Sequence, residues 1–127
     1  MPIIPFNNED FKSTGEMVVT VDKNRRIYIN RQVQRYFDAV EKPIKLYLGY
    51  DPVNKRIALA KPDVVRLTNH RPVQFNKAGF ISARTFIDRF KIEYKDGPYH
   101  YIYDGKENGW LTFRLQGYEA PDQPTKS

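Results

Sequence analysis

At 127 residues and 15.0 kDa, with 40% hydrophobic and 14% aromatic residues, the chain has material for one compact domain with its own apolar core. It has no cysteine, which excludes disulfide scaffolds, cysteine-based zinc fingers and thiol catalysis. The net charge of +6 favours a polyanionic partner and is unevenly spread: residues 17–69 hold eleven Lys/Arg against five Asp/Glu, residues 70–122 eight against seven.

Residues 1–16 read as an N-terminal arm. They lack the basic-then-apolar order of a secretion signal, and no segment reaches the roughly 18 apolar residues of a membrane span, so the expectation is a soluble, cytoplasmic protein. From Met17 to Val21 the residues alternate as a strand, "DKNRR" breaks the alternation as a polar turn, and "IYIN" resumes it. Asn30 is placed to cap a helix through "RQVQRYFDAV", whose apolar Val33, Tyr36, Phe37 and Val40 recur at spacings of three and four, with Pro43 as the stop. "IKLYLGY" and "RIALA" are strands around a "DPVNK" turn. "DVVRLTNHR" is a connection with room for a short helical turn.

The second half repeats this order. "PVQF" and "GFIS" flank a break at Asn76–Gly79, and Ser82 is a candidate cap for a helix carrying Phe86, Ile87 and Phe90. "YHYIY" and "WLTFRL" then bracket the turn signal "DGKENG". A gapless offset of 53 residues puts Phe37 on Phe90, Val33 on Phe86, Tyr50-Asp51 on Tyr103-Asp104 and Ile57 on Trp110. Around the helix start an offset of 52 pairs Ile29-Asn30 with Ile81-Ser82. The expected organisation is therefore mainly β with short helices: two strand-strand-helix-strand-strand units, 17–69 and 70–116, sharing one core, followed by a mobile polar tail at 117–127.

"VTVDKNRRIYINRQVQRYFDAV" followed by "IKLYLGYDPVNKRIALAKP" resembles the swapped-hairpin DNA-binding superfamily of the AbrB and MraZ type. Asp22 and Arg26 reproduce its Asp-x-x-x-Arg spacing. Arg25 stands where a turn glycine is usual, Asn30 replaces a proline, and the second half lacks the Asp-x-x-x-Arg pattern. The resemblance implies two interleaved hairpins forming one core, with basic turns entering the major groove of double-stranded DNA. A duplicated chain would build this as a monomeric pseudo-dimer; a homodimer is the alternative.

The residues make a case of their own. A two-stranded ribbon fits the major groove, and arginine at its tip can donate two hydrogen bonds to guanine or pair with phosphate. Lys23, Arg25 and Arg26 occupy such a tip, Arg31 and Arg35 the following helix, and Lys77, Arg84 and Arg89 are the counterparts in the second half. The bland reading makes these charges a solvated hairpin and helix surface, with Asp22–Arg26 an ion pair that shapes the turn. The Tyr/Trp run is read as cross-strand core pairs, Trp110 included, ahead of a platform for single-stranded bases.

His70 and His100 have no neighbouring ligand pattern, and no phosphate loop or nucleophile arrangement is present. No metal, cofactor or catalytic role is implied. The expectation is a DNA-binding transcriptional regulator. The alternative is a protein-interaction module, a small inhibitor or adaptor, that meets a protein partner through its basic or aromatic surface.

Overall fold

The computed structural model describes residues 16–121. Ten elements follow one another: β1 (Val18–Val21), β2 (Arg26–Ile29), α1 (Arg31–Tyr36), β3 (Ile44–Asp51), β4 (Arg56–Ala60), β5 (Val73–Phe75), β6 (Phe80–Ser82), α2 (Arg84–Phe90), β7 (Tyr99–Glu107) and β8 (Trp110–Leu115). The eight strands form one sheet in the order β5-β3-β4-β8-β7-β1-β2-β6, with every pairing antiparallel. Its two edge strands are consecutive in the chain and meet through a tight turn, Asn76 N–H donating to the Phe80 carbonyl at 2.9 Å. The sheet is thus a nearly closed barrel. No described helix is long and apolar enough to cross a membrane.

Alternation along the strands sends one set of side chains inward. Val19, Val21, Ile27, Ile29, Leu46, Ile57, Leu59, Phe75, Tyr101, Leu111 and Phe113 are buried in a single cluster. Val33 of α1, Phe37 just after it and Ile87 of α2 join it, and Phe86 and Phe90 pack against its edge. Residues from both halves therefore share one core. The strands also exchange partners across the halves: β1 lies on β7, β5 on β3, β2 on β6, and β4 on β8.

Both helices are short and end in the same way. Asn30 caps α1, accepting from Val33 N–H at 3.1 Å. The apolar spacing extends the expected helix to Val40, but α1 stops at Tyr36. Asp38 turns left-handed (φ 53°), its N–H donates to the Arg35 carbonyl, and Ala39 N–H donates to that of Gln34 at 2.7 Å. Lys91 (φ 53°) closes α2 likewise, with Ile92 N–H on the Ile87 carbonyl at 2.9 Å. Ser82 is not the cap of α2. It is the last residue of β6, and the N-cap position is held by Ala83, which makes no side-chain cap bond.

The second turn, Trp110 and the start of the tail depart from expectation. The turn read as "DGKENG" shrinks to Asn108-Gly109, both at positive φ, because β7 runs on to Glu107 through an irregularity between Tyr103 and Gly105. β8 itself pairs with β4 without a break, and its alternation sends Leu111 and Phe113 inward. Trp110 consequently lies outside the core cluster, on the outer face, its ring centroid 6.4 Å from that of Tyr47. The start of the expected tail is anchored: Tyr118 lies beneath Lys55, 4.5 Å from Nζ to the ring centroid, and Ala120 is buried. Residues 122–127 and most of the N-terminal arm lie outside the described residues.

Candidate nucleic-acid interface

The two hairpin tips are built on one plan. Asp22 Oδ1 accepts from the backbone N–H groups of Asn24 and Arg26, both at 2.9 Å, and Asn76 Oδ1 accepts from those of Ala78 and Phe80, both at 3.0 Å. Arg25 N–H donates to the Asp22 carbonyl at 3.1 Å, and Gly79 N–H to the Asn76 carbonyl at 2.9 Å. Arg25 (φ 58°) and Gly79 (φ 90°) are the left-handed residues that these turns require. Each tip carries one exposed lysine, Lys23 or Lys77.

Between the tips, β2 and β6 pair with Arg26 opposite Ser82, Ile27 opposite Ile81 and Tyr28 opposite Phe80. The pairing closes reciprocally: Ala83 N–H donates to the Arg25 carbonyl and Ile29 N–H to the Gly79 carbonyl, both at 2.9 Å. With Ile27 and Ile29 buried, Arg26, Tyr28, Phe80 and Ser82 point outward. Tyr28 and Phe80 stack at 4.6 Å between centroids, and the Arg26 guanidinium lies 5.0 Å over the Phe80 ring.

Antiparallel pairing sets the tip of each hairpin beside the helix that starts in the other half. One end of the β2–β6 ribbon therefore carries Lys23 and the start of α2, Arg84; the other carries Lys77 and the start of α1, Arg31. At the second end Arg31, Lys77 and Tyr28 line one concavity of about 500 Å³, together with Glu41, which offsets part of the charge. Arg35 and Arg89 are exposed in the last turns of their helices.

The two adjacent arginines of the first tip are both engaged. Arg26 Nε donates to Asp22 Oδ2 at 2.8 Å. Arg25 reaches across to α2, its Nη1 donating to Asp88 Oδ2 at 2.9 Å and Oδ1 at 3.2 Å, with the guanidinium 5.3 Å over the Tyr94 ring. Asp88 and Tyr94 lie more than 60 residues away in sequence, and nothing local to "DKNRR" announces them.

Two further constellations had no sequence signal. At the end of the β4–β8 pair the neighbouring Arg56 and Arg114 are neutralised by three carboxylates: Arg56 Nε on Asp51 at 3.0 Å, its Nη1 on Glu107 at 3.1 Å, and Arg114 Nε on Asp104 at 2.8 Å. Burial alone would raise the pKa of Asp51. Hydrogen bonds from the Asn54 side chain and backbone, Arg56 and Val53 N–H outweigh it and hold the carboxyl below its ordinary value. The second constellation is a groove of about 880 Å³ between β3, α2 and the segment before β5, lined by Tyr47, Phe86, Phe90 and Trp110 and rimmed by Arg71, Arg84 and Arg89. No family model, curated protein or solved structure matches the chain.

Proposed function

We propose that the chain is a double-stranded DNA-binding transcriptional regulator, built as an internally duplicated swapped hairpin, that meets the duplex with the outer face of the β2–β6 ribbon. Support for the duplication comes from the strand order. Exchanging β1 with β5, β2 with β6, β3 with β7 and β4 with β8 leaves the order around the barrel unchanged, once the β5–β6 turn is counted as the closing contact. The hairpin tips add to it: Asp22 and Asn76, and Arg25 and Gly79, hold the same roles under one offset of 54, which makes Ile27 opposite Ile81 the self-equivalent pair of the β2–β6 ribbon. The gapless offset of 53 fits the helices, Asp38 and Lys91 included; the 52 expected at the helix start gives way to 54, which pairs Ile29 with Ala83. In this arrangement β1 of one unit inserts beside β7 of the other, and β5 beside β3.

The single observation that carries the DNA reading is the distribution of cations along that ribbon. Lys23 with Arg84, and Lys77 with Arg31, flank its two ends in pseudo-symmetric positions. Four residues of β2 separate the ends, a span of roughly 13 Å, comparable with the roughly 12 Å width of a major groove. Arg26 and the Tyr28–Phe80 stack lie between them. Phosphate grips at two ends and a basic, aromatic strip in the middle match the division of labour between positioning and reading contacts.

The test is duplex affinity against salt for the wild type and for two double variants, Lys23→Ala with Arg84→Ala and Lys77→Ala with Arg31→Ala. Each should remove about two phosphate contacts and flatten the log–log salt slope by about two. Comparable losses from both pairs support a symmetric footprint. Undetectable wild-type binding at low salt, or variants indistinguishable from wild type, would sink the reading and favour a protein partner.

A further inference from the structure

We infer that the groove beside α2 is a binding site for a small amphipathic aromatic carboxylate. Its volume of about 880 Å³ falls within the range of small-molecule sites, and its walls come from three sides. The floor is the outer face of the sheet. There Tyr47, Gly49 and Trp110 line the groove, and the Trp110 indole rests on Gly49, which presents no side chain. A Cβ on Gly49 would stand 3.2 Å from the indole ring, so this glycine is what lets Trp110 lie flat against the sheet. Phe86 and Phe90 form the α2 wall with their rings 5.3 Å apart, and Tyr47 closes the floor.

The charge on the rim sets the sign of the ligand. Among the described residues Arg71, Arg84, Arg89 and His70 line the groove and no carboxylate does. Asp88, the carboxylate of α2, is held by Arg25 and is not among the lining residues. Aromatic walls offer face and edge contacts to a flat apolar body, and an arginine rim offers paired hydrogen bonds to a carboxylate. An apolar body buried against Trp110 with its carboxylate at Arg84 and Arg89 satisfies both. Arg84 also flanks the β2–β6 ribbon, so an occupied groove would withdraw one cation from the proposed DNA face. That coupling rests on the DNA reading; ligand binding does not.

Trp110 is the only tryptophan of the chain and reports on the groove directly. The experiment titrates the full chain with 3-phenylpropionate, and in parallel with the neutral 3-phenylpropionamide, following Trp110 emission. A saturable change with the carboxylate is expected, at least about tenfold weaker with the amide and with Arg84→Ala plus Arg89→Ala, the loss that charge-assisted bonds of this kind carry. Both arginines are exposed, so the variant should fold; a urea midpoint within error of wild type checks that it does. No saturable change up to millimolar ligand, equal affinity for acid and amide, or unchanged affinity in the arginine variant would each overturn the assignment. If the protein binds the carboxylate but no duplex, the DNA reading falls and the ligand site stands.

Discussion

Gly79 offers the sharpest test of how the second hairpin tip is held. A Cβ at this position would lie 2.5 Å from Gln34 Nε2 and 2.8 Å from the Ile29 carbonyl oxygen, and the backbone is at φ 90°. Gln34 is only 4% exposed, and its Nε2 donates to that same Ile29 carbonyl at 2.7 Å. Gly79→Ala therefore has two costs: about 1–2 kcal/mol for a left-handed L-residue, and about 1–3 kcal/mol for a buried amide driven off its acceptor. The sum is about 2–5 kcal/mol. With a urea dependence of about 1–3 kcal/mol/M for a domain of this size, the unfolding midpoint read from Trp110 emission should fall by roughly 1–2 M. At the equivalent Arg25 the reverse substitution, Arg25→Gly, relieves about 1 kcal/mol of strain and loses an exposed ion pair of similar or smaller worth, so its midpoint should barely move. A Gly79→Ala midpoint within about 0.3 M of wild type would refute the clash.

The other predictions concern the turn carboxylate and acid stability. Asp22→Asn keeps the acceptor for two backbone N–H groups and should cost less than about 1 kcal/mol, whereas Asp22→Ala and Asn76→Ala should each cost about 1–2 kcal/mol in urea melts; equal losses for Asp22→Asn and Asp22→Ala would show that the Arg26 ion pair, and not the backbone acceptor, holds the turn. Asp51 is held below its ordinary pKa, so it stabilises the fold above the unfolded carboxylate value of about 3.9 and loses that contribution as pH falls through its lower folded value. Asp51→Asn should therefore make stability less steeply dependent on pH below about 4, and an unchanged acid limb would show that other carboxylates carry it.

The element order was legible because the apolar periods are clean and the turn residues are chemically distinct. Asn30 announced its helix, and Asn76–Gly79 its turn. What failed was anything that depended on phase or on a distant partner. Val40 continues a helical spacing, but the chain leaves the helix at Asp38, and it is Ala39 that enters the core. A single extra residue at the Tyr103/Gly105 irregularity was invisible to a gapless comparison, and one residue suffices to turn a strand over. Trp110 reads as core because it is aromatic, but it alternates with the inward Leu111 and Phe113 and so falls on the outer face. At the site, the tip and its charges were evident, yet the partners of Arg25 were not, since the exchange of strands between halves brings Asp88 and Tyr94 to it.

That exchange also makes the two ends of the ribbon unequal. At the first tip the left-handed residue is an arginine, and its side chain fastens the turn to α2 through Asp88 and Tyr94, a partly exposed link that salt weakens. At the second tip the same backbone position is a glycine. The space above it is filled from α1 by Gln34, whose buried amide bond to Ile29 is insensitive to salt. The Lys77/Arg31 end is thus fixed by neutral, buried contacts, and the Lys23/Arg84 end by an ion pair that also occupies the charge of Arg25. Of the three cations in the basic knot, both arginines are paired with carboxylates and position the turn and the neighbouring helix; Arg26 stays exposed beside its partner, and Lys23 is exposed with no carboxylate on it among the described residues. The cations along the β2–β6 ribbon come from both halves of the chain, and it is the pairing of β2 with β6, not the local run of Lys and Arg, that brings them together.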